Sequence, residues 1–228
     1  MIAVTKPFPF TAVIFDMDGV LVDTEWAYKQ ELVAFSEDMG FGLTDAELNA
    51  LVGTSSKVFE NSLVEWYGRI GCSYDVDTAR DAYRAWSNTH VPLDFASLLN
   101  PGVRETLDDL HARGVRTALA SSSPMRDIEA VLAACKLEGA FETVVSGEQF
   151  HESKPNPEIY LHSLDLLGLP ADVCCCVEDS VPGITAGKAA GLTVFAKREE
   201  RFGFSQDAAD AIIDQIPDLL AAAHEVGR

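Results

Sequence analysis

The chain has 228 residues, 47% hydrophobic and 23% charged, which is the composition of a folded globular protein and excludes disorder. Seventeen Lys and Arg against thirty-six Asp and Glu give a net charge of −19, which excludes binding to a nucleic-acid backbone. No uncharged run approaches the roughly 20 residues of a membrane helix, and no signal peptide is read at the N-terminus, so a cytoplasmic protein is expected.

In chain order, the first strong element is Ala12-Val13-Ile14-Phe15, a continuous apolar run that ends at Asp16. Such a run suits a central parallel strand buried on both faces. From Thr24 to about Asp94 no strand follows. Helical patterns lie at Glu25–Met39, Asp45–Leu51, Lys57–Tyr67 and Asp77–Thr89, with a capping box at Thr44-Asp45-Ala46-Glu47. Phe59, Leu63, Trp66 and Tyr67 recur at helical spacing and read as the core of a small bundle.

Beyond Asp94 strands and helices alternate. Strands are expected at Arg116–Ala120, Thr143–Val145, Val173–Val177, Thr193–Ala196 and Ala211–Ile213. Helices are expected at Pro101–Arg113, Pro124–Cys135, Pro155–Leu167, Val181–Ala190 and Ile216–Glu225. The first ends at Gly114 and the third at Gly168, both good stop signals. The alternation predicts an α/β fold, a doubly wound, Rossmann-like parallel sheet, with an all-helical insertion. The predicted division is 1–22 and 95–228 for the sheet domain and 23–94 for the insertion. Five cysteines include three in succession, Cys174-Cys175-Cys176, without the spacing of a zinc site. They read as reduced thiols packed as small apolar side chains.

Ligands of open α/β sheets bind at the carboxyl ends of the strands. Those ends carry Asp16-Met17-Asp18-Gly19, Ser121-Ser122-Ser123 and Glu178-Asp179-Ser180, with Ser153-Lys154-Pro155 in a following loop. Each has an ordinary reading when taken alone. The Asp pair suits an Asx turn, Glu178-Asp179 an acidic helix start, Lys154 a solvated loop, and the serines a helix cap. Together they bring four carboxylates and one ammonium to one edge. Carboxylates at close range cannot all stay ionised, and a hard divalent cation, Mg²⁺, is the economical compensation. The Gly183–Lys188 stretch is one residue short of a phosphate-binding P-loop and lacks its Ser/Thr.

These motifs resemble those of the haloacid dehalogenase superfamily, in the subgroup with an inserted helical cap that includes β-phosphoglucomutase. AVIFDMDGVLVDTE resembles the nucleophile motif, ALASSS the second motif, the Ser-Lys-Pro segment the Lys motif, and VEDSVPGITAGKAAG the acidic metal motif. The resemblance implies Asp16 as nucleophile, Asp18 as acid and base, Ser121 as a phosphoryl contact and Lys154 as the charge balance. It implies Mg²⁺ held by Asp16, by Asp18 through its backbone carbonyl, by Asp179, and by Glu178 directly or from outside. Ser122, Ser123 and the cap loop Gly53-Thr54-Ser55-Ser56-Lys57 would meet substrate, Lys57 through its charge. Hinges would lie near Val22–Thr24 and Asp94–Ser97.

The expected activity is Mg²⁺-dependent hydrolysis of a small phosphorylated metabolite, a sugar or polyol phosphate, by a monomer. The alternatives are a β-phosphoglucomutase-type phosphomutase, a phosphoryl-accepting signalling module and a dehalogenase. Asp18 counts against the last two. Against the mutase, Tyr28 and Ser56 stand where the resemblance would place cationic phosphate clamps.

Overall fold

A computed structural model describes residues 7–54, 56–89 and 93–227. The N-terminal residues that bear on a leader, and Ser55 of the cap loop, lie outside these. Six strands form one sheet: β1 (Ala12–Phe15), β2 (Arg116–Ser121), β3 (Thr143–Ser146), β4 (Cys174–Glu178), β5 (Thr193–Lys197) and β6 (Ala211–Ile213). Their order is β3-β2-β1-β4-β5-β6, and every pairing is parallel. β1 lies between β2 and β4 and is wholly buried, as its unbroken apolar run requires. Its last residue, Phe15, is level with Leu119 and Val177. That register brings Asp16, Ser121 and Glu178 out at one edge.

Alternation along the strands divides the core into two layers. Val13, Phe15, Cys175 and Val177 share one apolar cluster with α5 (Val103–Ala112), α6 (Met125–Ala134) and α9 (Leu219–Val226). Ala12, Ile14, Cys174 and Cys176 share the other with α7 (Glu158–Leu167) and α8 (Val181–Ala189). The consecutive cysteines are therefore buried, free and split between the two faces. Burial drives the thiols of Cys175 and Cys176 well above the ordinary range.

Several helices start later than their sequence pattern suggests. Gly102, in the left-handed region at φ 78°, occupies the N-cap of α5, so Pro101 stays outside. Pro155 follows a cis peptide bond in the loop before α7. Asn156 Oδ1 there accepts from the Glu158 N–H at 2.9 Å and opens the helix at Glu158. The last pattern divides into a 3₁₀ turn over Ile216–Asp218 and then α9.

The insertion consists of α1 (Thr24–Met39), α2 (Asp45–Asn49), α3 (Ser56–Arg69) and α4 (Val76–Ser87). The capping box at Thr44 and Glu47 is formed. These helices bury a cluster of their own around Phe35, Leu63, Trp66, Tyr67 and Trp86, with Phe59 half-buried against it. Phe35 is fully buried and meets the rings of Phe41, Tyr67, Tyr83 and Trp86. The two chain crossings lie side by side, with the Asp23 N–H donating to the Leu98 carbonyl at 2.8 Å. Among the described residues no helix is long and apolar enough to cross a membrane.

Candidate active site

Asp16 leaves the end of β1 and is 7% exposed. Lys154 reaches it from the loop before α7, with its side chain 2% exposed. The ammonium donates to Asp16 Oδ1 at 2.6 Å, Glu178 Oε1 at 2.6 Å and the Ala120 carbonyl at 3.0 Å. All three donors of the ammonium are thus engaged. Burial pulls the Lys154 ammonium down, but Asp16 and Glu178 outweigh it and hold its pKa above the usual value. The Tyr160 hydroxyl, fully buried on α7, also donates to Glu178 Oε1.

One cation does not balance this acidic group. Asp16, Glu178 and Asp179 each offer a carboxylate oxygen within 4.8 Å of the others. Burial pushes the Asp16 carboxyl up to about 8; Lys154 opposes the shift, and Glu178 and Asp18 add to it. Asp179 is also driven well above the carboxylate range, by burial first and then by Glu25 and Asp16. Both carboxylate oxygens of Asp179 are buried without a hydrogen-bond partner. Buried polar atoms are rarely left so, and an all-oxygen donor set of this kind suits a hard divalent cation. The residues present therefore fit a metal. The Asp179 backbone is fixed from outside, its carbonyl accepting from Gln206 Nε2.

Two glycines make room for the carboxylates. A Cβ on Gly19, at φ +78°, would fall 1.9 Å from Asp179 Oδ2. A Cβ on Gly183, in α8, would fall 1.9 Å from Glu178 Oε2.

The side chain of Asp18 stands apart from the three carboxylates, in a nest of hydroxyls. Its Oδ1 accepts from Thr24 Oγ1 at 2.6 Å, and its Oδ2 from Ser123 Oγ at 2.9 Å and Ser121 Oγ at 3.5 Å. Ser121 Oγ accepts from the Ser123 N–H at 3.1 Å, and Ser122 Oγ from Ser153 Oγ at 2.9 Å. A carboxylate held by hydroxyls and open to a cavity can exchange a proton with a bound ligand.

A small cavity of about 40 Å³ lies over these groups, walled by Asp16, Asp18, Ser122, Ser123 and Lys154 from the sheet edge and by Glu25, Gly53 and Thr54 from the cap. A larger one, about 340 Å³, adjoins it between cap and sheet domain, sharing Asp18, Glu25, Thr54 and Ser123. The sheet-edge residues singled out in the sequence are thus brought together. In the cap, Gly53 and Thr54 join them, but Lys57 is exposed and lines neither cavity. Helical geometry explains this: Ser56, Phe59 and Glu60 face the larger cavity, and Lys57, one residue from Ser56, is rotated about 100° away.

Sequence reasoning missed Glu25, Tyr160 and Gln206. Glu25 Oε1 accepts from the Gly53 N–H at 3.0 Å, and burial, then Asp18, raise its carboxyl to about 8. Its signal was an acid directly after the Asp23-Thr24 pair. The signal of Tyr160 was one phenol among the buried residues of α7, which are aliphatic apart from Ser163.

The family model for haloacid dehalogenase-like hydrolases matches residues 10–191. The chain is 33% identical over 183 residues to a phosphorylated carbohydrates phosphatase of Thermotoga maritima, covering 79% of this chain and 82% of that protein. It is 32% identical over 191 residues to hexitol phosphatase B of Escherichia coli K12, covering 82% and 83%. The fold matches β-phosphoglucomutase of Clostridium difficile at a TM-score of 0.74 and 20% identity, over 96% of this chain and 97% of that one. Three buried carboxylates, a bridging lysine and a helical cap over the sheet edge accompany a match that spans most of the sequence, and the chain belongs to the haloacid dehalogenase-like hydrolase family.

Proposed function

We propose that the protein is a Mg²⁺-dependent phosphomonoesterase that works through an aspartyl phosphate on Asp16. The observation that carries this reading is the pairing of Lys154 with Asp16 and Glu178 beside the unpartnered carboxylate of Asp179. Lys154 occupies Asp16 Oδ1 and leaves Oδ2 for attack on phosphorus. As the Asp16–phosphorus bond forms, the bond to the alcohol oxygen breaks, and Asp18 gives that oxygen its proton. A water then attacks phosphorus, Asp18 takes its proton back, and the Asp16–phosphate bond breaks to release inorganic phosphate. Ser121 would contact a phosphoryl oxygen, and the Lys154 charge would balance Asp16 and the phosphoryl group throughout. Asp16, Asp179 and the Asp18 carbonyl would hold Mg²⁺, with Glu178 beside them, and the ion supplies positive charge to the phosphoryl oxygens that a −19 protein otherwise lacks. The helical cap covers the site and keeps bulk water from the intermediate.

The relatives are named for carbohydrate and hexitol phosphates, so sugar and polyol phosphates are the first substrates to try. The test is phosphate release from such esters with Mg²⁺, by wild type and Asp16→Asn. The variant should be folded and inactive. Near-wild-type release by the variant would overturn the assignment of Asp16.

A further inference from the structure

We propose that Glu25 is a specificity-determining residue that binds a hydroxyl on the carbon next to the ester carbon, so that the site selects vicinal hydroxyalkyl phosphates such as glycerol and open-chain polyol phosphates. The proposal rests on the phosphomonoesterase reading and names the substrate class of that site.

The two cavities meet at a throat. Among the described residues, Asp18, Glu25, Thr54 and Ser123 line both. Asp16 and Lys154 belong to the smaller cavity, so phosphorus lies there, and Asp18 must reach the ester oxygen to protonate it. The ester carbon and its neighbour then cross the throat, and a group on that neighbour meets the other three residues.

Most polar atoms of the throat are engaged. Asp18 serves the ester oxygen, and its own oxygens already accept from Thr24, Ser121 and Ser123. The Ser123 hydroxyl donates to Asp18 at 2.9 Å, and Thr54 Oγ1 donates to the Leu51 carbonyl at 2.7 Å. Glu25 Oε1 accepts from the Gly53 N–H at 3.0 Å, but its Oε2 makes no hydrogen bond among the described residues. Such an oxygen accepts from a hydroxyl whether or not the carboxyl is protonated.

The carboxyl is also held in place. Glu25 stands in the first turn of α1, beside Thr24, which donates to Asp18 at 2.6 Å. Its partner Gly53, at φ +70°, lies so close to the sheet edge that a Cβ there would fall 2.5 Å from Ser180 Cβ. Ser180 directly follows Asp179, so the cap loop seats Glu25 against the phosphoryl end. An ester without the hydroxyl strips water from Glu25 Oε2 and leaves that oxygen unpaired, and this asymmetry discriminates between substrates. Beyond the throat the larger cavity carries the carboxylates of Glu60 and Asp127 and the cations of Lys29, Arg80, Arg84 and Arg126. A tail with further hydroxyls therefore finds acceptors and donors there.

The test measures kcat/KM with Mg²⁺ for propyl, 2-hydroxypropyl and 3-hydroxypropyl phosphate, which differ only in the presence and place of one hydroxyl. For the wild type we expect the 2-hydroxypropyl ester to exceed each of the others about tenfold. Glu25→Met keeps the length of the side chain and removes the acceptor, and should cut both ratios at least about fivefold. A residue that merely held Gly53 in place would affect the three esters alike and leave the ratios unmoved. The ratios do not depend on how much of the variant folds, and the effect of the hydroxyl on the acidity of the leaving alcohol is common to wild type and variant. If Glu25→Met is too weakly active to measure, Glu25→Asp, which draws the carboxyl back by one methylene, is compared in the same way. Wild-type ratios near one overturn the proposal while leaving the phosphatase reading intact. Ratios unmoved in the variant overturn it equally and assign the hydroxyl to Thr54 or Ser123. Failure of the wild type to hydrolyse any of the three esters would instead remove the phosphatase reading, and the proposal with it.

Discussion

Replacing Lys154 by Met keeps most of the side-chain volume and deletes the charge that joins Asp16 to Glu178. The lysine side chain is 2% exposed, and its two carboxylate contacts are both 2.6 Å. Removing one partner from a buried ionic group costs about 3–5 kcal/mol, because the remaining charges lose their compensation. For a chain of this size that corresponds to a fall of about 6–20 °C in Tm. The loss depends on pH with a definite sign. Asp16 titrates near 8 in the folded protein against 3.8 for an ordinary Asp. The stability tied to its protonation is full below about pH 4 and is lost as pH rises through 8. Lys154 restrains that upward shift, so its removal moves the Asp16 carboxyl higher still, and the folded variant must keep protons that its unfolded chain releases. The deficit should therefore widen with pH. Without metal, we expect most of the fall already at pH 5.5, where Glu178 still loses its partner, and about 1 kcal/mol more at pH 8.5, because wild-type Asp16 begins to ionise only near pH 8. Thermal unfolding followed by circular dichroism at the two pH values measures both. A fall below about 2 °C at pH 8.5, or equal falls at both pH values, would refute the charge-bridge account.

Mg²⁺ binding should displace the protons held on Asp16 and Asp179, so calorimetric affinity should rise by at least about tenfold per pH unit between pH 6 and 8; an affinity flat with pH would place the ion elsewhere. Gly183→Ala would drive a methyl group onto Glu178, and should cost about 1–3 kcal/mol by thermal unfolding and at least tenfold in kcat. Wild-type values for both would show that α8 yields freely. With β-glucose 1-phosphate, Mg²⁺ and a trace of the 1,6-bisphosphate, inorganic phosphate should outpace glucose 6-phosphate. Neither Tyr28 nor Ser56 on the larger cavity carries a positive charge to hold a second phosphate. Rapid accumulation of glucose 6-phosphate would favour the mutase.

The sheet was legible because its determinants are local. An apolar run such as Ala12–Phe15 can be read without knowing its neighbours, and once strands are placed, their carboxyl ends converge by topology alone. Asp16, Ser121, Lys154, Glu178 and Asp179 were found in that way. The missed residues depend on packing between elements. Tyr160 looks like one more buried residue of α7 until α7 is laid on the sheet, where its hydroxyl reaches Glu178 at the end of β4. Gln206 contacts Asp179 from a loop distant in sequence. Lys57 is a different case: its type suited a phosphate ligand, and its position on α3 leaves it exposed and outside both cavities. Helix starts at Pro101 and Pro155 were misplaced because a proline permits a first turn without requiring one.

The cysteines give the molecule its own internal clock for opening. Cys135, Cys174, Cys175 and Cys176 are buried in the sheet domain, and Cys72 lies half-buried against the apolar cluster of the cap. A maleimide can reach the three thiols of β4 only when that central strand is uncovered. Cys72 is half-exposed and reacts without such an opening, so it sets the reference rate within the same molecule. The ratio of the two alkylation rates thus reports how often the sheet domain loosens, in the native chain and without any inserted label.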